Sequence, residues 1–235
     1  MKGKFFAIIL GTILCYVGAF ALCARAYSGS VAVGAEVPSL KVVVDAGHGG
    51  IDGGVVGKKT GVKESDLNLL IAVKLKEKLT EAGFEVVMTR KTEGGLYGVA
   101  TKGFKRRDMQ KRKSIVENAS PTLVVSVHQN FYSSSAQRGG QVFYLPKHEE
   151  GQRLAECVQE RLNALYKTHS VKGRKAMAAD YFMLRFSMPS VIVECGFLSS
   201  ERDEKLLVTD DFQYKLASMI AAGAIDYLTL KEGGL

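Results

Sequence analysis

The order of apolar and polar positions divides the chain into an apolar leader, a stretch of small residues, and a body in which strand-like and helix-like patterns alternate. Lys2 and Lys4 precede an uncharged apolar run from Phe5 to Ala24. Cations ahead of such a run orient a segment for export. As a helix the run would span about 30 Å, enough to cross a bilayer. Ala24-Arg25-Ala26 also offers a small-x-small cleavage site before Tyr27. Residues 1–26 therefore read as a signal peptide or as a retained membrane anchor. Both readings export the body, which is then extracytoplasmic, secreted or membrane-anchored, and touches the membrane only through residues 5–24. Residues 27–39 contain Gly29, Gly34 and Pro38 and read as a linker.

In the body, Leu40 to Asp45 is a short β-branched run that predicts a buried strand. Leu67, Leu70, Ile71, Leu75 and Leu79 recur at helical spacing within Ser65 to Ala82, and Gly83 stops that helix. Further strands are expected at Phe84–Thr89, Thr122–Val127, Gly140–Leu145 and Ser190–Cys195. Helices are expected at Phe104–Ala119, Glu149–Lys167, Ala179–Phe186 and Asp211–Tyr227, with a long glycine-containing loop from Lys91 to Gly103. Alternating strands and helices predict an α/β fold: a single domain over residues 40–229, with a largely parallel mixed sheet covered by helices on both faces and a tail at 230–235.

Active sites of such sheets lie beyond the carboxyl ends of the strands. Here those ends read Asp45-Ala46-Gly47-His48-Gly49-Gly50, Ser126-Val127-His128-Gln129-Asn130 and Val193-Glu194-Cys195-Gly196, with Glu64 at the start of the first helix. Two imidazoles and a carboxylate suit zinc with a position left for water, and a second carboxylate can take that water's proton. Each residue has a plainer role open to it: a histidine after a strand is often structural, and a glutamate at a helix start serves the helix dipole. Glu194 is the least ordinary, because a carboxylate in an apolar strand costs several kcal/mol unless paired.

Composition refines this picture in two places. Of four cysteines, only Cys157 and Cys195 lie in the body, and no CxxC occurs, which excludes a disulfide framework and a thiolate zinc knuckle. The formal net charge is +8, with a dense basic run of Lys102, Lys105, Arg106, Arg107, Lys111, Arg112 and Lys113. The helix at 104–119 is then either a solvated face or a dock for an anionic wall polymer or a protein partner. Nucleic acid is excluded by the export address and by the lack of interleaved aromatic platforms. His148 and His169 lie in polar sequence and read as surface residues.

Val44-Asp45-Ala46-Gly47-His48-Gly49-Gly50, Glu64, Ser126-Val127-His128 and Val193-Glu194-Cys195-Gly196-Phe197-Leu198-Ser199 together resemble the zinc-dependent N-acetylmuramoyl-L-alanine amidases of the amidase 3 type, over roughly Leu40 to Leu228. The resemblance implies a Zn2+ hydrolase that cuts the amide bond between N-acetylmuramic acid and L-alanine in peptidoglycan. It implies His48, Glu64 and His128 as metal ligands and Glu194 as the catalytic carboxylate. Gln129-Asn130 and the Val193–Ser199 stretch are most similar to the germination-specific amidases, which act in spore-cortex maturation before muramic-lactam formation. That places the exported body in the space between the forespore membranes. Gln129, Asn130 and Phe131 stand where the family usually has Ala-Asn-Ala, and Ser200 replaces an Asn. Lys172-Gly173-Arg174 matches the family's Arg-Gly region only loosely, so Arg174 receives no role. The changed residues after His128 and the Lys91–Gly103 loop motivate an alternative, a partner-dependent or non-catalytic peptidoglycan-binding domain.

Overall fold

Three strands form the centre of the sheet: β1 (Lys41–Ala46), β3 (Leu123–Asn130) and β6 (Ser190–Phe197), all buried almost throughout. The computed structural model describes residues 40–232, so the expectations for residues 1–39 and for the end of the tail lie outside the described residues. Among the described residues no helix is long and apolar enough to cross a membrane. With β2 (Glu85–Met88), β4 (Gln141–Tyr144) and β5 (Met177–Ala178), the strand order is β2-β1-β3-β6-β4-β5. β2, β1, β3 and β6 run parallel, and β4 runs antiparallel to β6.

Alternation along each strand sends side chains to two different cores. Val42, Val44, Val125, Val127, Val191 and Val193 face α1 (Glu64–Glu81), α3 (Glu149–Lys167) and α5 (Asp210–Glu232). Val43, Val124 and Ile192 face the other way, toward Val116 of α2 (Phe104–Ala119) and the 3-10 turn Phe182–Leu184. Cover on both faces explains why the central strands read as continuous apolar runs rather than alternating ones. Each fully buried valine among them contributes roughly 1.5 kcal/mol or more. On the larger face α3 and α5 approach closely at Gly223, where an added Cβ would sit 2.6 Å from Val158 Cα.

The structure departs from the sequence expectations at particular points. β3 continues through Asn130, so His128 lies inside the strand rather than beyond it. The helix expected at Ala179–Phe186 is only the turn Phe182–Leu184. Its first residues are held extended beside β4, where Ala179 N donates to Tyr144 O at 2.8 Å. A short helix α4 (Glu201–Leu207) precedes α5 and has no counterpart among the expected elements.

Candidate metal centre and active site

The ends of β1 and β3 and the start of α1 meet at one point. Glu64 is the first residue of α1 and is 3% exposed. Its Oε1 lies 3.3 Å from His48 Nε2 and 3.0 Å from His128 Nδ1. One donor atom from each of these residues lies within 4.8 Å of the others. The backbone is shaped to allow this. His48 adopts a φ of 59°, and Gly47 leaves room for the His128 ring, which a Cβ there would approach to 2.3 Å. Only glycine fits that close approach.

Glu64 is fixed before any ligand arrives. Gln129 N donates to its Oε1 at 3.1 Å and Val55 N to its Oε2 at 3.0 Å. Asn68 Nδ2 also reaches Oε1 at 3.4 Å and donates to Gly47 O at 3.2 Å, while its Oδ1 accepts from Gln129 Nε2 at 3.1 Å. Burial opposes ionisation of Glu64, but the two histidines outweigh it and hold the carboxyl well below the usual carboxylate range. His48 Nδ1 meets Asp52 Oδ2 at 3.0 Å. Burial would lower the His48 pKa, yet Glu64 and Asp52 together raise it above the ordinary imidazole value.

Two buried arginines hold the loop that carries His48. Arg112 donates to Ala46 O at 2.7 Å and His48 O at 2.5 Å, and pairs with Asp45 Oδ1 and Asp108 Oδ2, each at 2.6 Å. Arg90 donates to Ala46 O, Gly47 O and Ser65 O at 3.2, 3.1 and 2.9 Å. Asp45 also accepts from Thr89 Oγ1 at 2.5 Å and from Ser126 Oγ. Burial pushes the Asp45 pKa up, but Arg112 and the two hydroxyls win and hold it at about 2.

Glu194 of β6 is the register partner of His128 on β3. Its Oε2 is sealed from solvent and has no hydrogen-bond partner. Burial, opposed by His128 and assisted by Glu64, raises its pKa to about 7. An orphaned carboxylate oxygen beside two histidines and a fixed glutamate fits a metal site: the donor set suits zinc, and an ordered water there would give Oε2 a partner. A cavity of about 290 Å³ opens from His48 and His128 along Tyr97, Phe104, Tyr181 and Met183.

The family model for N-acetylmuramoyl-L-alanine amidase matches residues 42–226. The chain belongs to the N-acetylmuramoyl-L-alanine amidase family. The germination-specific N-acetylmuramoyl-L-alanine amidase of Bacillus subtilis (strain 168) is 33% identical over 193 residues, which cover 81% of this chain and 80% of that protein. The CwlD amidase from Clostridioides difficile, solved in complex with the GerS lipoprotein, has a TM-score of 0.78 at 33% identity, covering 82% of this chain and all (100%) of that one. The catalytic domain of CwlV, an amidase from Bacillus (Paenibacillus) polymyxa, has a TM-score of 0.70 at 29% identity, covering 81% of this chain and 98% of that one. Like these proteins, this chain is a peptidoglycan amidase.

All four residues that the sequence motifs single out meet at one sheet edge. Asp45 and Gln129, which lie inside the motifs but received no role there, and Asn68, Arg90 and Arg112, which lie outside them, support the site. The signal that draws attention to Glu194, a carboxylate in an apolar strand, applies equally to Asp45. The basic run is not one solvated face. Arg112 is 1% exposed, and Arg107 is spent on the carbonyls of Tyr97, Val99 and Lys102 at 3.1, 2.7 and 3.0 Å. Lys105 pairs with Asp52 at 3.3 Å. His148 and His169 are half-buried rather than free surface residues: His148 Nδ1 caps α3 by accepting from Gly151 N, and His169 packs edge-on against Phe212. Gln129, the unusual residue after His128, fills its place by bonding Asn68, although its Oε1 is buried without a partner.

Proposed function

We propose that this amidase is a zinc enzyme in which His48, Glu64 and His128 hold the ion and Glu194 carries the proton. One observation carries the reading: a three-donor cluster within 4.8 Å stands beside Glu194, which is half-buried, is in register with His128 and has a sealed Oε2 without a hydrogen-bond partner. Bound there, zinc supplies Lewis-acid polarisation of the scissile carbonyl and acidifies water. Glu194, which burial lifts above the usual carboxylate range, takes the proton of the attacking water. The attack falls on the lactyl carbonyl of muramic acid. Glu194 then returns the proton to the departing amine, leaving a muramoyl carboxylate and a peptide that begins with L-alanine. Asp52, Asn68 and Arg112 orient the ligands from behind.

The likeness to the germination-specific amidase of Bacillus subtilis supports a second part of the proposal. The chain strips stem peptides from spore cortex before muramic-lactam formation, after export by residues 1–26, in the space between the forespore membranes. The complex of the CwlD relative with the GerS lipoprotein supports a protein partner, which we place at the exposed side chains of α2 around Arg106 and Lys111. The ion is tested by metal analysis of the purified body: one zinc per chain is expected, lost in His48→Ala and His128→Ala, and metal-free active enzyme overturns it. Cortex from a sporulating host that lacks the gene should contain no muramic lactam, restored by the native chain and not by Glu194→Gln. Normal lactam in that host overturns the cortex role.

A further inference from the structure

Two adjoining depressions of about 440 and 810 Å³ share Ala136, Arg138 and Arg202 and contain none of the residues that line the cavity at His48. Their walls carry seven cationic side chains and one carboxylate, Glu201, already taken by Lys59 at 3.4 Å. Among the described residues Lys58, Lys172, Arg174, Arg202 and Lys205 have no carboxylate within ion-pair distance. This excess of charge is gathered from the loops after β1 (Lys58, Lys59), β3 (Arg138) and α3 (Lys172, Arg174) and from α4 beyond β6 (Arg202, Lys205); β1 and β3 also carry His48 and His128 at their carboxyl ends.

The cations are tied to the reacting residues through two aromatic rings. Lys58 Nζ stands 5.3 Å from the ring centre of Phe131, three residues beyond His128. The Arg174 guanidinium stands 4.9 Å from that of Phe197, three residues beyond Glu194. The shelf is also built rather than merely exposed. Arg138 Nε and Gly139 N donate to the buried Asp203 at 2.9 and 2.7 Å, Arg174 donates to Arg138 O and Gln137 Oε1 at 3.1 and 2.7 Å, and Tyr132 N donates to Ser199 Oγ at 3.0 Å. Cations held this way attract a ligand anion without first being ordered by it.

We infer that this shelf binds the carboxylates of the stem peptide, and so forms the peptide side of the substrate site whose amide bond is cut. The inference rests on the amidase reading above. Of the two parts joined by that bond, the glycan is neutral and gains nothing from cations, whereas the peptide carries free carboxylates along and at the end of its length. Arginine and lysine recognise such groups by charge-assisted hydrogen bonds. The shelf therefore selects peptides with free carboxylates over their carboxamides.

The test is a calorimetric titration of the full body with the free tripeptide L-alanyl-γ-D-glutamyl-diaminopimelate, with its carboxamide form, and with a glycerol-phosphate polymer. The native chain should prefer the acid. Lys58→Gln combined with Arg202→Gln, both exposed positions, should weaken acid binding at least about fivefold, and raised salt should weaken native binding similarly. Equal affinity for acid and amide overturns the inference, as does unchanged affinity in the double variant. So does tighter binding of the phosphate polymer, which would make the shelf a wall-polymer dock. Product analysis on peptidoglycan scores the underlying reading separately. Cutting with unaltered peptide affinity overturns the shelf alone, and carboxylate-dependent binding without cutting overturns the amidase mechanism alone.

Discussion

His128 and Glu194 are register partners on the neighbouring parallel strands β3 and β6. Neighbours across a ladder stand about 5 Å apart, so the proposed ligand histidine and the proposed proton carrier leave the sheet side by side without any loop to place them. Precision of this kind comes from two of the three buried central strands, and it makes the site sensitive to whatever fixes their ends.

The first consequence is electrostatic. Glu194 has a pKa of about 7 against an ordinary 4.5. Between those values the folded, metal-free chain holds a proton that the unfolded chain has released. The stability it contributes is present below pH 4.5 and is lost as pH rises through about 7. Chemical unfolding of chelator-treated protein should show a decline of about 1–3 kcal/mol across this window. Glu194→Gln should flatten it. An identical slope in that variant would place the titrating group elsewhere.

Arg112 joins Asp45 and Asp108 to the carbonyls of Ala46 and His48. A lysine cannot reach all four acceptors, and removing half of a buried pair costs about 3–5 kcal/mol. Arg112→Lys should therefore lower the unfolding free energy by several kcal/mol and weaken zinc binding, because His48 loses the anchor of its carbonyl. Retention of native stability and metal affinity would show the contact to be incidental.

Asn68 bridges Glu64, Gly47 O and Gln129. Groups behind the ligands typically govern about 10- to 100-fold in metal affinity. Asn68→Ala should show a loss of that size in a competition titration with a zinc chelator while its circular dichroism stays native.

At Gly223 a methyl group would meet the Val158 backbone at 2.6 Å. Gly223→Ala should push α3 and α5 apart and destabilise the protein by about 1–3 kcal/mol, read as a lowered denaturation midpoint. Neither helix carries a residue of the metal cluster, so specific activity per folded molecule should remain near native.

Much of this architecture is legible in the sequence because both faces of the central strands are covered: apolar runs such as Val42–Val44 and Leu123–Val125 can only be interior strands. The two histidines and Glu194 are legible because each follows or interrupts such a run. The antiparallel direction of β4 is not, since side-chain period is the same in either direction. Nor is α4, which at seven residues is too short for a helical period to show. Arg112 is hidden by its neighbours: in a run of seven basic residues nothing local distinguishes the one whose partners, Asp45 and the His48 carbonyl, lie more than sixty positions away.

In the proposed mechanism a metal held by His48, Glu64 and His128 acts with Glu194 to release intact stem peptides. Zinc-loaded native protein and Glu194→Gln, matched in metal content, should be incubated with peptidoglycan and their products read by mass spectrometry. Peptides beginning with L-alanine should come from the native chain and at least about 100-fold less from the variant, as expected for loss of the group that moves the proton. Equal release by the two proteins, or fragments cut within the peptide while L-alanine stays on muramic acid, would contradict that mechanism.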